Sequence, residues 1–234
     1  MGMDAAAMKT PEQAVLLCGG LGTRMRPHTN HLPKPMAPCN GKPFMEYLLE
    51  QLAVLDVRRF LLLTGYLGEQ IQEYFSDGEK WGWQIRYSHG PVEWETGRRI
   101  WEAKPDLDEC FLMLYSDNFV PFPLSKVLSH HHSHGLPLTF MISPKIPGNL
   151  AIDERGIVMC YDNQRSSDLP YVEIGYMVVE RDRVLPQFPQ PDCSFSTVLC
   201  SMAAQHLIGA WIQNDAYHSI SDPERWKKAE QYLK

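Results

Sequence analysis

The feature that most restricts the fold of this sequence is a short apolar run, Gln13–Cys18, that ends directly in Gly19-Gly20. A run of this length bounded by glycine is typical of a strand buried on both faces. Residues 19–41 contain four prolines and many Gly, Asn and Thr residues, and they predict a long loop. Long loops inside compact domains are usually functional or disordered, so this strand and loop form the first candidate site.

Strand patterns and helix patterns alternate along the chain. The apolar runs Arg59–Thr64 and Cys110–Tyr115 predict further buried strands, while residues 43–55 and 67–75 repeat apolar side chains at helical spacing. This alternation favours an α/β fold with a mostly parallel, Rossmann-like sheet flanked by helices.

Ligands of such sheets bind beyond the carboxyl ends of the strands. The loop at 19–41, the segment 88–98 and Asp117 are therefore expected on one rim. We assign residues 13–234 to a single domain and residues 1–12 to a lead-in that we expect to be disordered.

Composition limits the partners. The net charge of −6 gives no reason to expect nucleic acid or an anionic membrane, so an anionic substrate needs a local basic site. Six cysteines without a Cys-x-x-Cys pair indicate thiols in a reducing compartment. The sequence has neither an apolar run long enough for a membrane span nor a signal-peptide pattern at its start, and we expect a cytoplasmic protein.

The glycine-rich turn carries the strongest chemical signal. Gly19, Gly20 and Gly22 allow positive φ angles, so backbone N–H groups can turn towards phosphate oxygens. A bare glycine-rich turn is structural about as often as functional, but Arg24 adds a charge that matches phosphate geometry. Lys34 follows between two prolines that stiffen the loop, and together these residues favour phosphate binding.

The string Gly19–Pro38, GGLGTRMRPHTNHLPKPMAP, resembles the signature of sugar-1-phosphate nucleotidyltransferases. That family includes the mannose- and heptose-1-phosphate guanylyltransferases and the N-acetylmuramate-1-phosphate uridylyltransferases. The resemblance continues to Asp222–Arg225 and fits the short members, which lack a C-terminal β-helix.

The resemblance implies that a sugar phosphate oxygen attacks the α-phosphorus of a nucleoside triphosphate in line and releases pyrophosphate with Mg²⁺ assistance. The implied catalytic residues are Arg24, Lys34 and Asp117, with Asp117 as the metal ligand; a carboxylate at a strand end can otherwise simply cap a turn. The implied nucleotide-binding residues are Cys18, Gly19, Gly20, Leu21, Gly22, Thr23, Arg24, Glu95, Thr96 and Ser116.

The sugar side of the family pattern is less complete. The implied sugar-phosphate-binding residues are Asn118, Arg165, Glu173 and Gly175. Ser219 stands where the family carries its second metal aspartate, and Asp215 or Asp222 remains open as a substitute.

Arg98 and Arg99 replace small residues of the family's sugar and base loop. They could reshape the sugar site, bind an extra anionic group, or point outwards as a solvated pair.

The sequence thus predicts transfer of a nucleotidyl group to a sugar 1-phosphate, with GTP and a mannose- or heptose-like sugar favoured by likeness to the short guanylyltransferases. The same chemistry with UTP, CTP or dTTP is one alternative, and cytidylyl transfer to a choline-type phosphate is another. A non-catalytic nucleotide-sugar-binding regulatory protein is a third. Members of the family often self-associate, but no stretch of this sequence identifies an interface.

Overall fold

Strands and helices alternate along the residues that the computed structural model describes, 10–165 and 168–234. The strands are β1 (Gln13–Cys18), β2 (Pro38–Cys39), β3 (Lys42–Pro43), β4 (Arg59–Thr64), β5 (Gln84–His89), β6 (Cys110–Tyr115), β7 (Asn118–Phe119), β8 (Leu138–Pro144), β9 (Leu150–Ile152), β10 (Val158–Tyr161), β11 (Tyr171–Glu180), β12 (Ile208–Ile212) and β13 (His218–Ser219). The helices are α1 (Phe44–Val54), α2 (Gly68–Phe75), α3 (Thr96–Glu102), α4 (Leu124–His134), α5 (Arg181–Val184), α6 (Phe195–Ala204) and α7 (Pro223–Tyr232).

Within those described ranges, nine strands form one sheet. Its main path is β10-β9-β11-β6-β1-β4-β5, and β8 pairs with both β11 and β12. The pairs of β1 with β4 and β6, of β4 with β5 and of β12 with β8 are parallel. β11 runs antiparallel to β6 and β8. The predicted α/β fold with a parallel central sheet is confirmed, and β11 adds an antiparallel half to it.

Side chains of the central strands alternate between two apolar clusters, one on each face of the sheet. Leu16 of β1 packs in the cluster that contains Phe44 of α1, and the next residue, Leu17, packs in the cluster that contains Phe195 of α6. Fully burying such a side chain stabilises the fold by about 1.5–3 kcal/mol. A shift of β1 by one residue would exchange the two faces, so this packing fixes the register of the strand.

Two local elements are well defined. β9 and β10 form an antiparallel hairpin. The Asp222 side chain caps α7 by accepting a hydrogen bond from the backbone N–H of Arg225 at 2.9 Å.

The loop at 19–41 is more ordered than predicted. It contains three one-turn 3₁₀ helices, Thr23–Met25, His28–Asn30 and Lys34–Met36, followed by the short β2–β3 hairpin. Proline lacks the N–H that a longer element needs, which keeps each turn short, but it still permits single 3₁₀ turns. The segment therefore has a defined shape before any ligand binds.

Most of the predicted disordered lead-in, residues 1–9, lies outside the described residues. Pro11 is already buried, and Glu12 lies 3.6 Å from Arg59 (Oε2 to Nη1). Across the described chain, every helix is too short or too polar to cross a membrane.

Candidate active site

A cleft of about 500 Å³ opens at the carboxyl ends of β1 and β6. This is the rim that the strand order predicts for ligands. The cleft is lined by Leu17, Cys18, Gly19, Gly20, Gly22, Thr23, Arg24, Lys34, Pro35, Val92, Glu93, Trp94, Glu95, Thr96, Arg99, Tyr115, Ser116, Asp117 and Ser221.

The glycine-rich loop turns back on itself at Gly22. Gly22 has a φ angle of +60°, and a Cβ atom added there would lie 3.0 Å from Cβ of Lys34. The Gly22 carbonyl accepts hydrogen bonds from the Met25 N–H and the Thr29 hydroxyl, both at 2.9 Å. A side chain at this position would therefore displace the segment that carries Lys34.

Lys34 and Asp117 meet inside the cleft although they lie far apart in sequence. Lys34 Nζ donates to Asp117 Oδ2 at 2.5 Å, and the two side chains are 14% and 24% exposed. Pro33 and Pro35 flank the lysine and are buried, so its backbone is held in place. The contact puts a cation and a carboxylate side by side, next to the glycine-rich loop.

The backbone around Asp117 is fixed by hydrogen bonds to two neighbouring elements. The Ser116 hydroxyl donates to the Leu17 carbonyl at 2.8 Å, and the Ile220 N–H donates to the Asp117 carbonyl at 2.9 Å. These bonds tie the end of β6 to β1 on one side and to β13 on the other. The carboxylate thus projects from a rigid position, which is what a metal or phosphate site requires.

The segment before α3 and the first residue of that helix also line the cleft. The Thr96 hydroxyl accepts a hydrogen bond from the Phe195 N–H at 2.9 Å, which anchors the start of α3 to α6. Arg98 is half-buried: it pairs with Glu102 at 2.7 Å, and its Cζ lies 5.4 Å from the centroid of the Trp94 ring, so the interpretation of a solvated pair fits it only in part. That interpretation is wrong for Arg99, which is only 5% exposed and lines the cleft.

A bulge in β11 shapes the predicted sugar side. The register of β11 against β8 shifts between Glu173 and Met177, and Gly175 within the bulge has a φ angle of +82°. A Cβ atom at Gly175 would lie 2.9 Å from Cδ2 of Tyr115, which itself lines the cleft. The side-chain amide of Asn118 forms a hydrogen bond with β11 by donating to the Ile174 carbonyl at 3.0 Å. The bulge therefore packs directly behind the cleft wall.

Glu173 is a buried carboxyl group on this bulge. Burial raises its pKa to about 7, with a smaller upward contribution from the negative charge of Asp117 and an opposing one from the hydrogen bond donated by the Gly175 N–H. The Glu173 N–H donates to the Asn149 side chain at 2.9 Å, which fixes the backbone there. A carboxyl group tuned in this way can accept or donate a hydrogen bond near neutral pH.

The two alternative metal ligands are engaged elsewhere. Asp215 accepts a hydrogen bond from the Gln213 side chain at 2.9 Å, and Asp222 caps α7. Ser219 lies opposite Asn118 in the β13–β7 pair, close to Asp117 in the fold, but its hydroxyl accepts the Ser221 N–H at 3.1 Å. Within the described ranges, no group of three or more His, Cys, Asp and Glu side chains is arranged to hold a metal ion.

The cleft brings together all three predicted catalytic residues and all the predicted nucleotide-binding residues except Leu21, which is 41% exposed and does not line it. None of the four predicted sugar-phosphate residues is among the lining residues; three cluster behind Tyr115, and Arg165 is exposed with a φ angle of +54°. The binding roles of all these residues stay predictions.

Sequence reasoning missed Tyr115 and Ser221 as lining residues. Tyr115 and Ser221 carry no pattern of their own, and their positions depend on how β6 and β13 meet.

The open α/β sheet, with a glycine-rich loop and a lysine–carboxylate pair at its carboxyl edge, defines a nucleotide-handling protein of the doubly wound class. A model of the family described as Nucleotidyl transferase matches residues 13–149, more than half of the chain. The chain belongs to this family, and the resemblance found in the sequence is confirmed.

The names of the similar proteins describe enzymes that act on sugar 1-phosphates. A D-glycero-alpha-D-manno-heptose 1-phosphate guanylyltransferase from Campylobacter jejuni is 31% identical over 91% of this chain and 96% of its own length. A probable glucose-1-phosphate cytidylyltransferase from Bacillus subtilis is 33% identical over 67% of this chain and 70% of its own. The prediction of a sugar-1-phosphate nucleotidyltransferase is confirmed at this level, and members of the family typically use a divalent metal.

Solved structures agree on the fold. HddC from Yersinia pseudotuberculosis, complexed with GMP-PN, superposes with a TM-score of 0.80 at 21% identity and covers 95% of this chain and 99% of that one. A putative glucose-1-phosphate thymidylyltransferase from Bacillus anthracis gives a TM-score of 0.81 at 12% identity, with 94% of each chain covered.

Proposed function

We propose that this protein transfers a guanylyl group from GTP to a mannose- or heptose-like sugar 1-phosphate and releases pyrophosphate. The observation that carries the proposal is the Lys34–Asp117 pair, 2.5 Å apart beside the glycine-rich loop. The choice of GTP and of the sugar is supported by similarity to the Campylobacter jejuni guanylyltransferase, which extends over 91% of this chain.

In the proposed reaction an oxygen of the sugar phosphate forms a bond to the α-phosphorus as the bond to the β,γ-pyrophosphate breaks. Such transfer requires positioning and neutralisation of charge more than covalent help from the protein. Backbone N–H groups of Gly19–Gly22 would bind the phosphates, and Arg24 and Lys34 would balance their negative charge.

Asp117 is the proposed ligand for Mg²⁺. The available donors fit this ion, because Mg²⁺ is commonly held by one or two carboxylates together with substrate phosphates and water. When bound, Mg²⁺ would offset the charge on the triphosphate and on the leaving pyrophosphate. Lys34, now paired with Asp117, would turn to the phosphates once the carboxylate has another cation beside it.

The sugar phosphate would occupy the side of the cleft near Tyr115 and the β11 bulge. Glu173 would accept or donate hydrogen bonds to sugar hydroxyls, Gly175 leaves room there, and Asn118 and Arg165 would contribute polar contacts. We place the enzyme in the cytoplasm, as a source of activated sugars for polysaccharide assembly.

The test is pyrophosphate release with Mg²⁺ across GTP, ATP, CTP, UTP and dTTP and a panel of sugar 1-phosphates. Lys34→Ala and Asp117→Ala should each abolish turnover of the preferred pair. Their matched controls are Lys42→Ala and Asp108→Ala, two ion-paired residues outside the cleft, which should leave turnover intact.

CTP is the second candidate nucleotide, because the cytidylyltransferase relative is 33% identical over 67% of the chain. Turnover with CTP and glucose 1-phosphate, and none with GTP, would overturn the guanylyl assignment and keep the reaction class. Nucleotide-sugar binding by calorimetry without turnover on the whole grid would favour a regulatory protein.

A further inference from the structure

Arg99 on α3 is a buried arginine with an unusual set of partners. It is only 5% exposed, and arginine is almost never fully buried unless it is paired. Across the described residues, its guanidinium donates hydrogen bonds to backbone carbonyl groups: to Thr64 at 2.7 Å, to Pro91 at 2.6 Å and, at longer range, to Gly90 at 3.3 Å. The guanidinium group of Arg99 thus donates its hydrogen bonds to backbone carbonyl oxygens and not to a carboxylate.

These carbonyls belong to separate parts of the rim. Thr64 ends β4, and Gly90 and Pro91 follow β5. Gly19, which follows β1, has its carbonyl 3.5 Å from the same guanidinium. One side chain therefore links the chain segments that follow three adjacent parallel strands.

The backbone is fitted closely around this guanidinium. A Cβ atom added to Gly19 would lie 2.5 Å from Cζ of Arg99, and one added to Gly65 would lie 2.7 Å from its Nη1. Real Cβ atoms do not approach other atoms so closely, so glycine is required at both positions while Arg99 stays in place. Close packing against Arg99 thus explains why Gly19, the first glycine of the glycine-rich loop, has no side chain in this protein.

Arg99 also reaches the cleft. Gly19, Val92 and Arg99 itself are among its lining residues, so the linked segments form part of the wall. A planar guanidinium with five donors can hold several carbonyls in fixed directions, which a lysine ammonium cannot do. A wall fixed before binding spares the ligand the cost of ordering it.

We propose that Arg99 is the positioning residue for the nucleoside triphosphate: it holds the segments after β1, β4 and β5 together and so fixes the nucleotide side of the cleft. This inference rests on the proposed function and adds a specific residue to it. It assigns Arg99 no contact with the reacting atoms.

The adjacent Arg98 provides a matched control. It has the same chemistry and lies on the same helix, but it pairs with Glu102 at 2.7 Å and does not itself line the cleft. It contacts the cleft wall at the Trp94 ring, whose centroid lies 5.4 Å from Cζ, and Arg98→Lys keeps a cation there. Any effect of losing an arginine from α3 in general should therefore occur at both positions, and an effect on nucleotide binding only at Arg99.

The experiment compares Arg99→Ala and Arg99→Lys with Arg98→Ala and Arg98→Lys. Arg99→Ala should raise KM and Kd for the nucleoside triphosphate at least about 10-fold, while kcat and the KM for the sugar 1-phosphate change less than about 3-fold. Arg99→Lys should recover only part of that affinity, and added methylguanidinium should restore it in Arg99→Ala. Both Arg98 variants should bind nucleotide like the wild type.

A folded Arg99→Ala protein whose nucleotide Kd stays within about 2-fold of the wild type would overturn the proposal. If Arg99→Ala does not fold, the Arg99→Lys protein tests the proposal by hydrogen exchange of the backbone amides at 19–24, 90 and 92–95. These should exchange faster than in Arg98→Lys, and equal protection overturns the proposal. Exchange needs no substrate, so absence of turnover in the wild type would contradict the proposed function without deciding this one.

Discussion

The two sides of the cleft are built by different means. The proposed nucleotide side is mostly backbone: the turn at Gly19–Gly22 and the segment after β5, held by Arg99. The proposed sugar side depends on side chains and on one bulge, with Glu173 and Gly175 behind Tyr115. A binding site built from main-chain groups tolerates few substitutions, because the backbone conformation depends on the whole loop. A binding site built from side chains can be altered one residue at a time.

This difference matches where the chain follows and where it departs from the family resemblance. The glycine-rich loop, Lys34 and Asp117 keep the family pattern, and they converge on one cleft. The departures at Ser219 and Arg165 belong to the proposed metal and sugar side, and the departure at Arg99 supports the backbone of the proposed nucleotide side. We therefore expect substitutions on the nucleotide side to affect the reaction itself, and those on the sugar side to affect the choice and binding of the sugar.

The largest expected effect is loss of the Lys34–Asp117 pair. Lys34→Met and Asp117→Asn should each lower kcat by about 100-fold or more, because each removes charge that the phosphates require. The double variant should lose scarcely more than either single one, since residues that act as a unit are not additive. Steady-state kinetics on the four proteins would measure this, and fully additive losses would contradict a shared role.

A second effect should be confined to the sugar side. Gly175→Ala places a Cβ atom 2.9 Å from Tyr115 at a φ angle of +82°, so the bulge must shift. We expect a loss of about 1–3 kcal/mol in the free energy of unfolding. The KM for the sugar 1-phosphate should rise about 10-fold, because small displacements of positioning groups are costly.

The control is Gly135→Ala. Gly135 has a φ angle of +62° but has nothing within 4 Å of its added Cβ atom. It should lose about 1 kcal/mol of stability from backbone strain alone, with unchanged kinetics. If Gly175→Ala also weakens nucleotide binding by calorimetry, the two sides of the cleft are not separate.

Sequence reasoning succeeded where the signal is local. The strand Gln13–Cys18, the turn after it and the carboxylate at the end of β6 could be placed because a short pattern and one topological rule suffice. It failed for Arg99, whose carbonyl partners lie in three segments that are far from one another in sequence, at Gly19, at Thr64 and at 90–91. The antiparallel direction of β11 and its bulge also depend on long-range pairing, which no local pattern encodes.

The third prediction concerns pH. Burial raises the pKa of Glu173 from 4.5 in the unfolded chain to about 7 in the folded protein. Between these values the folded protein holds a proton that the unfolded chain has released, so the free energy of unfolding falls as pH rises through this range. The decrease should be on the order of 2 kcal/mol for a group this buried.

Urea unfolding at pH 5 and pH 8 would measure that decrease. Glu173→Gln should remove this part of the pH dependence, and Glu69→Gln, at an exposed position, should retain it. An unchanged pH profile in Glu173→Gln would show that the buried carboxyl group is ionised in the folded protein, and its proposed hydrogen-bond donation to the sugar would then be wrong.

The smallest expected effect distinguishes two roles of Asp222, as the N-cap of α7 and as a second metal ligand. Asp222→Ala should cost about 1 kcal/mol through loss of the N-cap, and Tm should fall by about 2–4 °C. Asp222→Ser should recover most of this stability, because a serine hydroxyl can accept the same hydrogen bond from the Arg225 N–H.

The kinetic comparison of these variants tests the metal role independently. α7 supports the loop that carries Lys34, since Trp226 Nε1 donates to the Pro38 carbonyl at 3.1 Å and the Asn40 side chain donates to the Glu230 carbonyl at 2.7 Å. If Asp222 is only a cap, Asp222→Ser restores stability and activity together. If it binds the metal, Asp222→Ser is as stable as the wild type but needs more Mg²⁺ for half-maximal rate, because a hydroxyl is a weaker ligand than a carboxylate. That second outcome would add Asp222 to the proposed metal site, which otherwise rests on Asp117 and the substrate phosphates.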